Sequence, residues 1–540
     1  MAEIKLVKFN ENAYLAVNAD VRRNVELGAH SSALEHFLRH GIDENRAPVL
    51  RREPIGLRGH VEFFFVSDGG FFAVGGWIAD EGCGPLRCRL VGADFSLEIS
   101  PTEVCRFARR DVEGIIGGGA YDYGVFILGS SFSKTLLKQS LQFVCETPAG
   151  GFETRLTPQI VSNERLLNFS LVRLQEHDSH EGREYNLYRF LTHAGENLVE
   201  MFRAQLKEKT KDPYIESFGK RSVSRSFITV LFGSTEAIKL QPMLFRAAGV
   251  DFGEWIYVCN SPEDGEAALR LGRAMSELYD VAITVVVMAD NVGFGAANNI
   301  GVEAAQSQNI YVVNPDVFPL RSGLANLRRT LARPSLGETL WGGLLFYDEL
   351  NLMHSGMYME HDVFVHRNTM ARHDDSVNPV AKLVRVEHFD KCVPFDPALW
   401  TRPRATPAIS GAVMAFDRKH FERIGGFSSR YIFGHYEDAD LSLRWGKEIG
   451  PVVIDPDLQL MHLEGQGSRS RGDQYKAAQI VNRYLFSLKY NDEFAKDPAM
   501  MTGGARAANS NMTTIDAKPA LDAASKPELE PAEAAVAGMA

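Results

Sequence analysis

The chain has 540 residues, and this length predicts two to four domains because single hydrophobic cores rarely grow so large. Its 45% hydrophobic and 24% charged residues are typical of a globular protein, and a formal net charge of −11 argues against broad binding to nucleic-acid phosphates. The six cysteines form no CxxC pair, and the first residues lack the apolar run of a secretory signal. We therefore expect reduced thiols, a cytoplasmic location and no transmembrane segment, with peripheral membrane contact left open.

Three segments with different patterns make up the N-terminal part. Residues 1–50 carry apolar residues at helical spacing and predict a helical motif. Residues 51–160 contain short aromatic and β-branched runs between glycine-rich turns, which predict a small antiparallel β-sandwich. Residues 161–222 are polar and periodic and predict a helical connector. His36 and His40 are four residues apart, but no third metal ligand is near in the sequence, so surface histidines are favoured over a metal site.

Buried strands alternate with helices in the next segment. The predicted strands cover residues 227–232, 255–259, 281–288 and 310–313. This alternation predicts an α/β fold with a mostly parallel sheet over residues 223–490, in which ligands bind at the carboxyl ends of the strands. The tail, residues 491–540, is rich in Ala, Pro, Lys, Glu and Ser and has no aromatic residue after Phe494, a composition that predicts disorder.

Small and polar residues follow each of the four predicted strands. In chain order the candidates are Gly233, Ser234, Thr235, Glu236, Asn260, Asn291, Gly293, Gly295, Ala297, Asn298, Asn314 and Asp316. Glycines allow a ligand to approach the backbone closely, and amide side chains can hydrogen-bond a base or a ribose. A carboxylate at a strand end suits a hard divalent cation that bridges phosphates. Each residue alone is explained by a turn or a helix cap, but their placement after four successive strands favours a binding site.

A second group of polar residues lies between Ala408 and Arg444. The small residues Ser410 and Gly411 precede an apolar strand, and the acids Glu437, Asp438 and Asp440 open an amphipathic helix. Neighbouring carboxylates repel one another, which raises the pKa of at least one and makes it a candidate proton acceptor. Helix capping is the alternative, because acids suit the N-terminal end of the helix dipole and Asp440 can pair with Arg444.

Taken together, these motifs resemble the family 2 glycosyltransferases, which have the GT-A fold. NVGFGAANN (residues 291–299) is similar to the family's nucleotide segment, and NPDV (314–317) stands where its Asp-x-Asp metal motif ends the fourth strand. SGAV through GGF (410–427) resembles the acceptor-side loop, and HYEDADLSLR (435–444) resembles the catalytic ED-x-D-L-x-x-R segment. MHLE through Ser468 (461–468) resembles the closing histidine motif.

The resemblance covers about residues 225–490 and implies an inverting glycosyltransferase of the bacterial polysaccharide or surface-glycan type. It implies a UDP- or dTDP-linked sugar donor and a glycan or lipid-linked glycan acceptor that meets Ser410 and Gly411. It also implies Mg²⁺ or Mn²⁺ at Asp316 and His462. Asp438 would be the base, with Glu437 and Asp440 as second choices, and the strand-end residues from Gly233 to Asn314 would hold the nucleotide sugar. The first 50 residues and the β-rich segment resemble accessory modules of such enzymes.

Two departures from the family pattern keep other functions open. NPDV has one acid where the fuller motif has two or three, and FGSTE replaces the commoner Pro-Val-Tyr-Asn type after the first strand. One alternative is a non-catalytic carbohydrate-binding or scaffold protein with a degenerate transferase domain, which the single acid favours and the intact EDAD run opposes. The other is nucleotidyl transfer, which needs a basic phosphate-binding loop where the sequence offers only Lys239.

Overall fold

The computed structural model covers most of the chain. It describes residues 11, 14–15, 18–41, 44, 57–80, 86–116, 123–130, 132, 140–175, 180–221, 224–250, 252–365, 380–463 and 473–496. Of the tail that we predicted to be disordered, residues 491–496 belong to a helix, and residues 497–540 lie outside the described part.

The N-terminal segment contains the helices α1 (Ala19–Glu26) and α2 (Ala33–His36). Its buried apolar side chains form one small cluster: Tyr14, Val21, Ala33 and Phe37. His36 is 4% exposed and its Nδ1 lies 3.1 Å from the Tyr14 hydroxyl, so the prediction of a surface histidine is wrong for His36, whereas His40 is exposed. Among the described residues, no group of three or more His, Cys, Asp or Glu side chains is placed to hold a metal ion.

Two sheets form the β-rich segment. Its strands are β1 (Arg58–Ser67), β2 (Phe72–Ala79), β3 (Arg87–Gly92), β4 (Phe95–Ile99), β5 (Val104–Phe107), β6 (Gly124–Gly129), β7 (Leu141–Thr147), β8 (Gly150–Leu156) and β9 (Gln159–Val161), and helix α3 (Arg110–Ile116) lies between β5 and β6. The sheet orders are β5-β6-β2-β1-β9 and β4-β3-β7-β8. Their pairs are antiparallel except β1 with β9, which is parallel. Apolar side chains from both sheets share one buried cluster.

The remaining strands lie between residues 214 and 462. They are β10 (Tyr214–Phe218), β11 (Ser226–Leu231), β12 (Glu254–Cys259), β13 (Ile283–Val287), β14 (Asn309–Val313), β15 (Val317–Pro319), β16 (Leu340–Phe346), β17 (Leu352–His354), β18 (Met357–Val365), β19 (Val380–His388), β20 (Arg404–Ala405), β21 (Val413–Asp417) and β22 (Val452–His462). Eleven of them form the main sheet, in the order β10-β13-β12-β11-β14-β21-β16-β22-β15 with β17 and β20 at the side, while β18 and β19 form a separate ribbon.

The main sheet is mixed, and the prediction of a mostly parallel sheet is wrong. The four predicted strands, β11 to β14, are parallel neighbours, and every residue of β11 and β12 is buried, as expected for strands covered on both faces. Antiparallel pairs flank them at β10 and β21, and β15 is antiparallel to β22. After β14, consecutive strands also pair directly, as β16 and β17 do, and tight connections of that kind join antiparallel strands. Strand β10 lies within residues 161–222, so this part of the predicted helical connector is a strand instead.

Helices cover both faces of the main sheet. They are α4 (Asn163–Gln175), α5 (His180–Lys209), α6 (Glu236–Ala247), α7 (Gly265–Tyr279), α8 (Phe294–Ala304), α9 (Leu324–Leu331), α10 (Arg418–Arg423), α11 (Glu437–Glu448) and α12 (Asp473–Lys496). Buried side chains of α6, α7 and α9 pack on one face, and those of α5, α8, α11 and α12 share a cluster with the other face.

One buried cluster joins the β-rich segment to the main sheet. It contains Phe71 and Phe126 of the β-rich segment, Phe190 of α5, Leu485 of α12 and Ile228 of the central strand β11. The N-terminal strands therefore rest on helices that also support the main sheet. None of the helices in the described ranges combines the length and the apolar character needed to cross a membrane.

Candidate functional site

A cavity of about 500 Å³ lies where the carboxyl ends of β11, β12 and β14 meet the ribbon β18–β19 and the starts of α11 and α12. Its volume is in the range that holds small-molecule ligands. Its lining residues are Val230, Phe232, Asn260, Asn291, Phe294, Asn314, Pro315, Asp316, Met357, Val386, His388, Ser410, Gly411, Ala412, Phe433, Gly434, His435, Tyr436, Glu437, Asp438, His462, Tyr475 and Gln479.

Nine of the residues predicted from the sequence lie in this lining. They are Asn260, Asn291, Asn314, Asp316, Ser410, Gly411, Glu437, Asp438 and His462. They come from both sequence groups, because the strand-end residues and the acids at the start of α11 face the same space. The topology thus brings together residues that are up to about 200 positions apart in the chain.

The candidates after the first strand lie elsewhere. Gly233, Ser234 and Glu236 are exposed, and neither they nor Thr235 line the cavity. The Gly233 amide donates to Ser261 Oγ at 3.1 Å, and Glu236 pairs with Lys239 at 2.7 Å. The cavity is lined instead by Phe232, the residue before them, so their assignment to nucleotide binding is not supported by their position.

Asn260 and Asn291 lie in the lining but bind each other. Asn260 Nδ2 donates to Asn291 Oδ1 at 2.9 Å, and Asn260 Oδ1 accepts from the Val292 amide at 2.9 Å. Asn291 Oδ1 also accepts from the Gly293 amide at 2.8 Å, and Asn291 Nδ2 donates to the Tyr475 hydroxyl at 2.9 Å. These bonds fix the loop after β13, so the two side chains hold the wall of the cavity in place.

The remaining residues of the segment 293–299 act in packing. Gly293 has φ +81°, and a Cβ there would come within 2.9 Å of the Phe433 backbone, so only glycine fits. Asn298 and Ala297 are fully buried within α8. Asn299 exchanges two 2.9 Å hydrogen bonds with the backbone of Phe427. Ala297 and Asn298, predicted to bind the nucleotide sugar, and Gly295 lie outside the lining.

Asp316 and His462 form a pair in the cavity wall. Because β15 is antiparallel to β22 with Val317 opposite His462, the two side chains are adjacent, and His462 Nε2 lies 3.2 Å from Asp316 Oδ1. His462 Nδ1 is buried and has no hydrogen-bond partner among the described residues. One carboxylate and one imidazole fit a divalent cation that takes its other ligands from phosphate and water. Within the described part of the chain, no third His, Cys, Asp or Glu side chain is placed to complete a metal site with them.

Asp438 is held at the start of α11 by backbone amides. Its Oδ2 accepts from the Gly411 amide at 2.9 Å, and its Oδ1 accepts from its neighbour Ala439 at 2.8 Å. Burial raises the pKa of Asp438, and the amide hydrogen bonds oppose this shift only in part. Burial, rather than repulsion between neighbouring carboxylates, is the main cause of this shift in the pKa of Asp438. A carboxylate with a raised pKa in a cavity can accept a proton from a bound ligand.

Asp440 points away from the cavity, which does not support its prediction as a catalytic second choice. It is 0% exposed and accepts hydrogen bonds from the hydroxyls of Tyr431 at 3.0 Å and Tyr490 at 2.9 Å. Arg444 Nε binds it at 2.7 Å, and Lys489 pairs with it as well. Burial raises the pKa of Asp440, but the charges of Arg444 and Lys489 outweigh burial and lower the pKa below the ordinary value. The predicted pairing with Arg444 is present.

Replacing Asp440 with asparagine is expected to lower the free energy of unfolding by about 3–5 kcal/mol, because two cations lose a buried partner. Since the pKa of Asp440 is lowered in the fold, its contribution is present above the ordinary aspartate pKa and is lost as the pH falls through the lowered value. Urea unfolding at neutral and acidic pH measures both effects. Unchanged stability with lost activity would instead give Asp440 a chemical role.

Two histidines that sequence analysis did not select support the Ser410 side of the cavity. His354 is buried, and burial and the neighbours His388 and His462 hold its pKa well below the ordinary value, so it is neutral. Its Nε2 accepts from the Ser410 amide at 3.4 Å, which places its proton on Nδ1, 2.9 Å from Nδ1 of His388. His388 then accepts at Nδ1 and lines the cavity. The pair was missed because its members lie 34 residues apart without a motif.

Comparison with known families finds one match within the chain. Residues 398–454, about a tenth of the chain, match the family model described as the N-terminal domain of galactosyltransferase. The matched segment contains Ser410, Gly411, Glu437 and Asp438, so it supplies one side of the cavity. This segment is therefore similar to a domain of galactosyltransferases. No curated protein sequence matches the chain.

Two solved structures show a weaker likeness. The crystal structure of GalNAc-T7 with UDP, GalNAc and Mn²⁺ is 14% identical over 52% of this chain and 52% of its own length, with a TM-score of 0.36. The mannosyltransferase PcManGT from Pyrobaculum calidifontis, in complex with GDP-Man and Mn²⁺, is 16% identical over 61% of this chain and 88% of its own, with a TM-score of 0.30. The chain thus spans about half the length of the first, and TM-scores this low do not establish a common fold.

The loop before α11 is a further feature that the sequence did not indicate. Phe433, His435 and Tyr436 have φ of 61°, 76° and 72°, although none of them is glycine. Such backbone conformations are unfavourable for residues with side chains and occur where surrounding contacts impose them. All three line the cavity directly before Glu437 and Asp438. The loop therefore forms a strained part of the cavity wall that leads directly into the acids.

Proposed function

We propose that this protein transfers a sugar from a nucleotide-sugar donor to a hydroxyl group of a glycan or lipid-linked glycan acceptor. The observation that carries the proposal is the cavity itself. It combines a carboxylate with a raised pKa, Asp438, with the strand-end pair of Asp316 and His462, and one wall comes from the segment that matches a galactosyltransferase family. A proton acceptor and a pair that can hold a cation, placed in the lining of one cavity, can together serve glycosyl transfer from a diphosphate.

In the proposed reaction, Asp438 accepts the proton of the acceptor hydroxyl. The hydroxyl oxygen forms a bond to the anomeric carbon while the bond from that carbon to the diphosphate oxygen breaks, and the diphosphate leaves with the electron pair. Attack from the face opposite the leaving group inverts the anomeric centre. The hydrogen bonds from Gly411 and Ala439 hold the carboxylate in position, and burial makes it a stronger base.

Asp316 and His462 would hold a divalent cation, Mg²⁺ or Mn²⁺, which neutralises the charge of the leaving diphosphate when bound. On the donor side, Asn260 and Asn291 fix the loop that the nucleotide would lie against, with Phe232 and Tyr475 nearby as aromatic surfaces. UDP- and dTDP-sugars are the donors that we propose. We also propose a role in bacterial polysaccharide or surface-glycan synthesis at the cytoplasmic side of the membrane.

A panel of nucleotide sugars tests the proposal through slow donor hydrolysis, measured with Mn²⁺, with Mg²⁺ and with a chelator. At least one donor should be hydrolysed only when the cation is present, and transfer to an added acceptor should give the inverted anomer in the NMR spectrum of the product. Donor binding without hydrolysis or transfer would favour a carbohydrate-binding scaffold. For nucleotidyl transfer, the basic residue that the sequence offers, Lys239, pairs with Glu236 at the surface, so no observation favours it.

A further inference from the structure

Helix α12 contacts residues that line or support the cavity at three positions along one face. Tyr475, Asn482 and Lys489 are spaced seven residues apart, about two helical turns, so their side chains lie on the same side of the helix. The Tyr475 hydroxyl accepts from Asn291 on the donor side, and Lys489 pairs with Asp440 in α11. Asn482 lies between them and contacts the strained loop before α11. A single helix therefore holds both sides of the cavity.

The Asn482 side chain uses both its donor and its acceptor on the strained loop. Its Oδ1 accepts from the Ile432 amide at 2.8 Å, and its Nδ2 donates to the carbonyl oxygens of Ile432 at 2.9 Å and Gly434 at 2.6 Å. A fourth, longer contact of 3.4 Å joins Nδ2 to the carbonyl oxygen of His435. Asn482 is 0% exposed, so water does not compete for these bonds.

The loop held by Asn482 is joined to both sides of the cavity, the start of α8 and the start of α11. The Phe433 carbonyl accepts a 2.6 Å hydrogen bond from the Phe294 amide at the start of α8, next to the loop fixed by Asn260 and Asn291. At its other end the loop enters α11 at Glu437, one residue before Asp438. Because three residues of the loop have positive φ, it would relax to other conformations without partners that hold it.

We propose that Asn482 is a positioning residue that sets the place of Asp438 relative to the donor by holding residues 432–436 in their strained conformation. This inference rests on the proposed function, since the acid that Asn482 positions is the proposed base. Asn482 does not line the cavity and acts only through the loop. Small displacements of a reacting group cost large factors in rate, so loss of the restraint lowers the rate of transfer more than it lowers donor binding.

The test compares Asn482→Ala with a matched variant, Asn309→Ala. Asn309 is also a buried asparagine, 9% exposed, and its Nδ2 donates to the Pro334 carbonyl at 3.0 Å, at the start of β14 and outside the cavity lining. For Asn482→Ala we expect kcat to fall on the order of 10- to 100-fold, with UDP affinity in the presence of Mn²⁺ within a few-fold of wild type. Asn309→Ala should keep kcat, whatever it does to the melting temperature.

Amide hydrogen exchange supplies a readout that does not depend on activity. In Asn482→Ala the amides of residues 432–436 should exchange at least about tenfold faster, while those of β12 stay unchanged. If the alanine variant does not fold, Asn482→Gln keeps an amide but displaces the loop, and it should lower kcat while the melting temperature stays near wild type. Unchanged kcat in a folded variant, or lower kcat without faster exchange of the loop, would overturn the proposal. If wild type turns over no donor, the proposed function fails, while the exchange rates still show whether Asn482 holds the loop.

Discussion

Replacing Asp438 with asparagine is expected to lower the rate of sugar transfer by roughly two orders of magnitude or more, with donor affinity near wild type. The amide has almost the size of the carboxylate but cannot accept the acceptor's proton, and that interaction exists only in the transition state. Stability should change by no more than about 1 kcal/mol, because losing one hydrogen bond from Gly411 or Ala439 opposes the gain from removing a buried charge. Steady-state kinetics, calorimetric donor titration and thermal unfolding measure the three quantities.

Glu437→Gln is the matched control, because Glu437 is the adjacent acid in the same lining. If Asp438 only stabilises the first turn of α11 through its hydrogen bonds, the amide oxygen of asparagine can still accept one of them, and both rate and stability survive. A near-normal rate in Asp438→Asn combined with a large loss in Glu437→Gln would transfer the role of base to Glu437.

The pH profile of the reaction should also identify Asp438 as the base. Only the ionised form of Asp438 accepts a proton, and burial raises its pKa, so the rate should rise with pH up to a value above the ordinary aspartate pKa and then level off. The contribution of Asp438 to the free energy of unfolding changes with pH in the opposite direction. A carboxyl whose pKa is raised by folding favours the folded state when protonated, so its contribution falls as the pH rises through that range. In Asp438→Asn the residual rate should lack this acidic limb.

Replacing Asp316 with alanine is expected to abolish the metal-dependent part of nucleoside-diphosphate binding, a loss of at least about 10- to 100-fold in affinity with Mn²⁺. The fold should remain, because Asp316 lies at a strand end and its partner His462 is held by the pairing of β15 with β22. Calorimetric titration of UDP with Mn²⁺, repeated with a chelator, measures the metal-dependent difference. Asp348→Ala, an exposed loop carboxylate outside the lining, serves as the control. Unchanged metal-dependent affinity in Asp316→Ala would remove Asp316 from the cation site.

The part of the fold that the sequence predicts well is the part governed by local periodicity. Continuous apolar runs gave the four parallel strands β11 to β14, and their carboxyl ends share one edge of the sheet, so Asn260, Asn291, Asn314 and Asp316 meet in one cavity. Apart from β21, the apolar strand expected after Gly411, the antiparallel strands of the main sheet were not predicted, because pairing between distant segments leaves no local pattern. For the same reason β10 was taken for part of a helical connector.

The individual roles of the site residues depended on contacts that a sequence does not show. Asn299 has the side chain expected of a nucleotide ligand, yet its partner is the backbone of Phe427, more than a hundred positions away. In the sequence, nothing distinguishes Asn482 from other polar residues of its helix, and only the fold shows its contact with residues 432–436. Asp440 belongs to an acidic run with Asp438, but four partners fix it in the interior. Polar residues of one type thus separate into ligand-facing and structural ones only in three dimensions.

The buried cluster that joins the β-rich segment to the main sheet bears on how the protein unfolds and how it can be divided. Phe71 and Phe126 on one side and Leu485 on the other belong to the same cluster, together with Phe190 of α5. A fragment starting at the predicted boundary, residue 223, would leave the apolar side chains that α5 covers in contact with water, and such patches promote association. We therefore expect the two halves to unfold as one cooperative unit, and exchange of the C-terminal half between proteins would have to carry α4 and α5 with it.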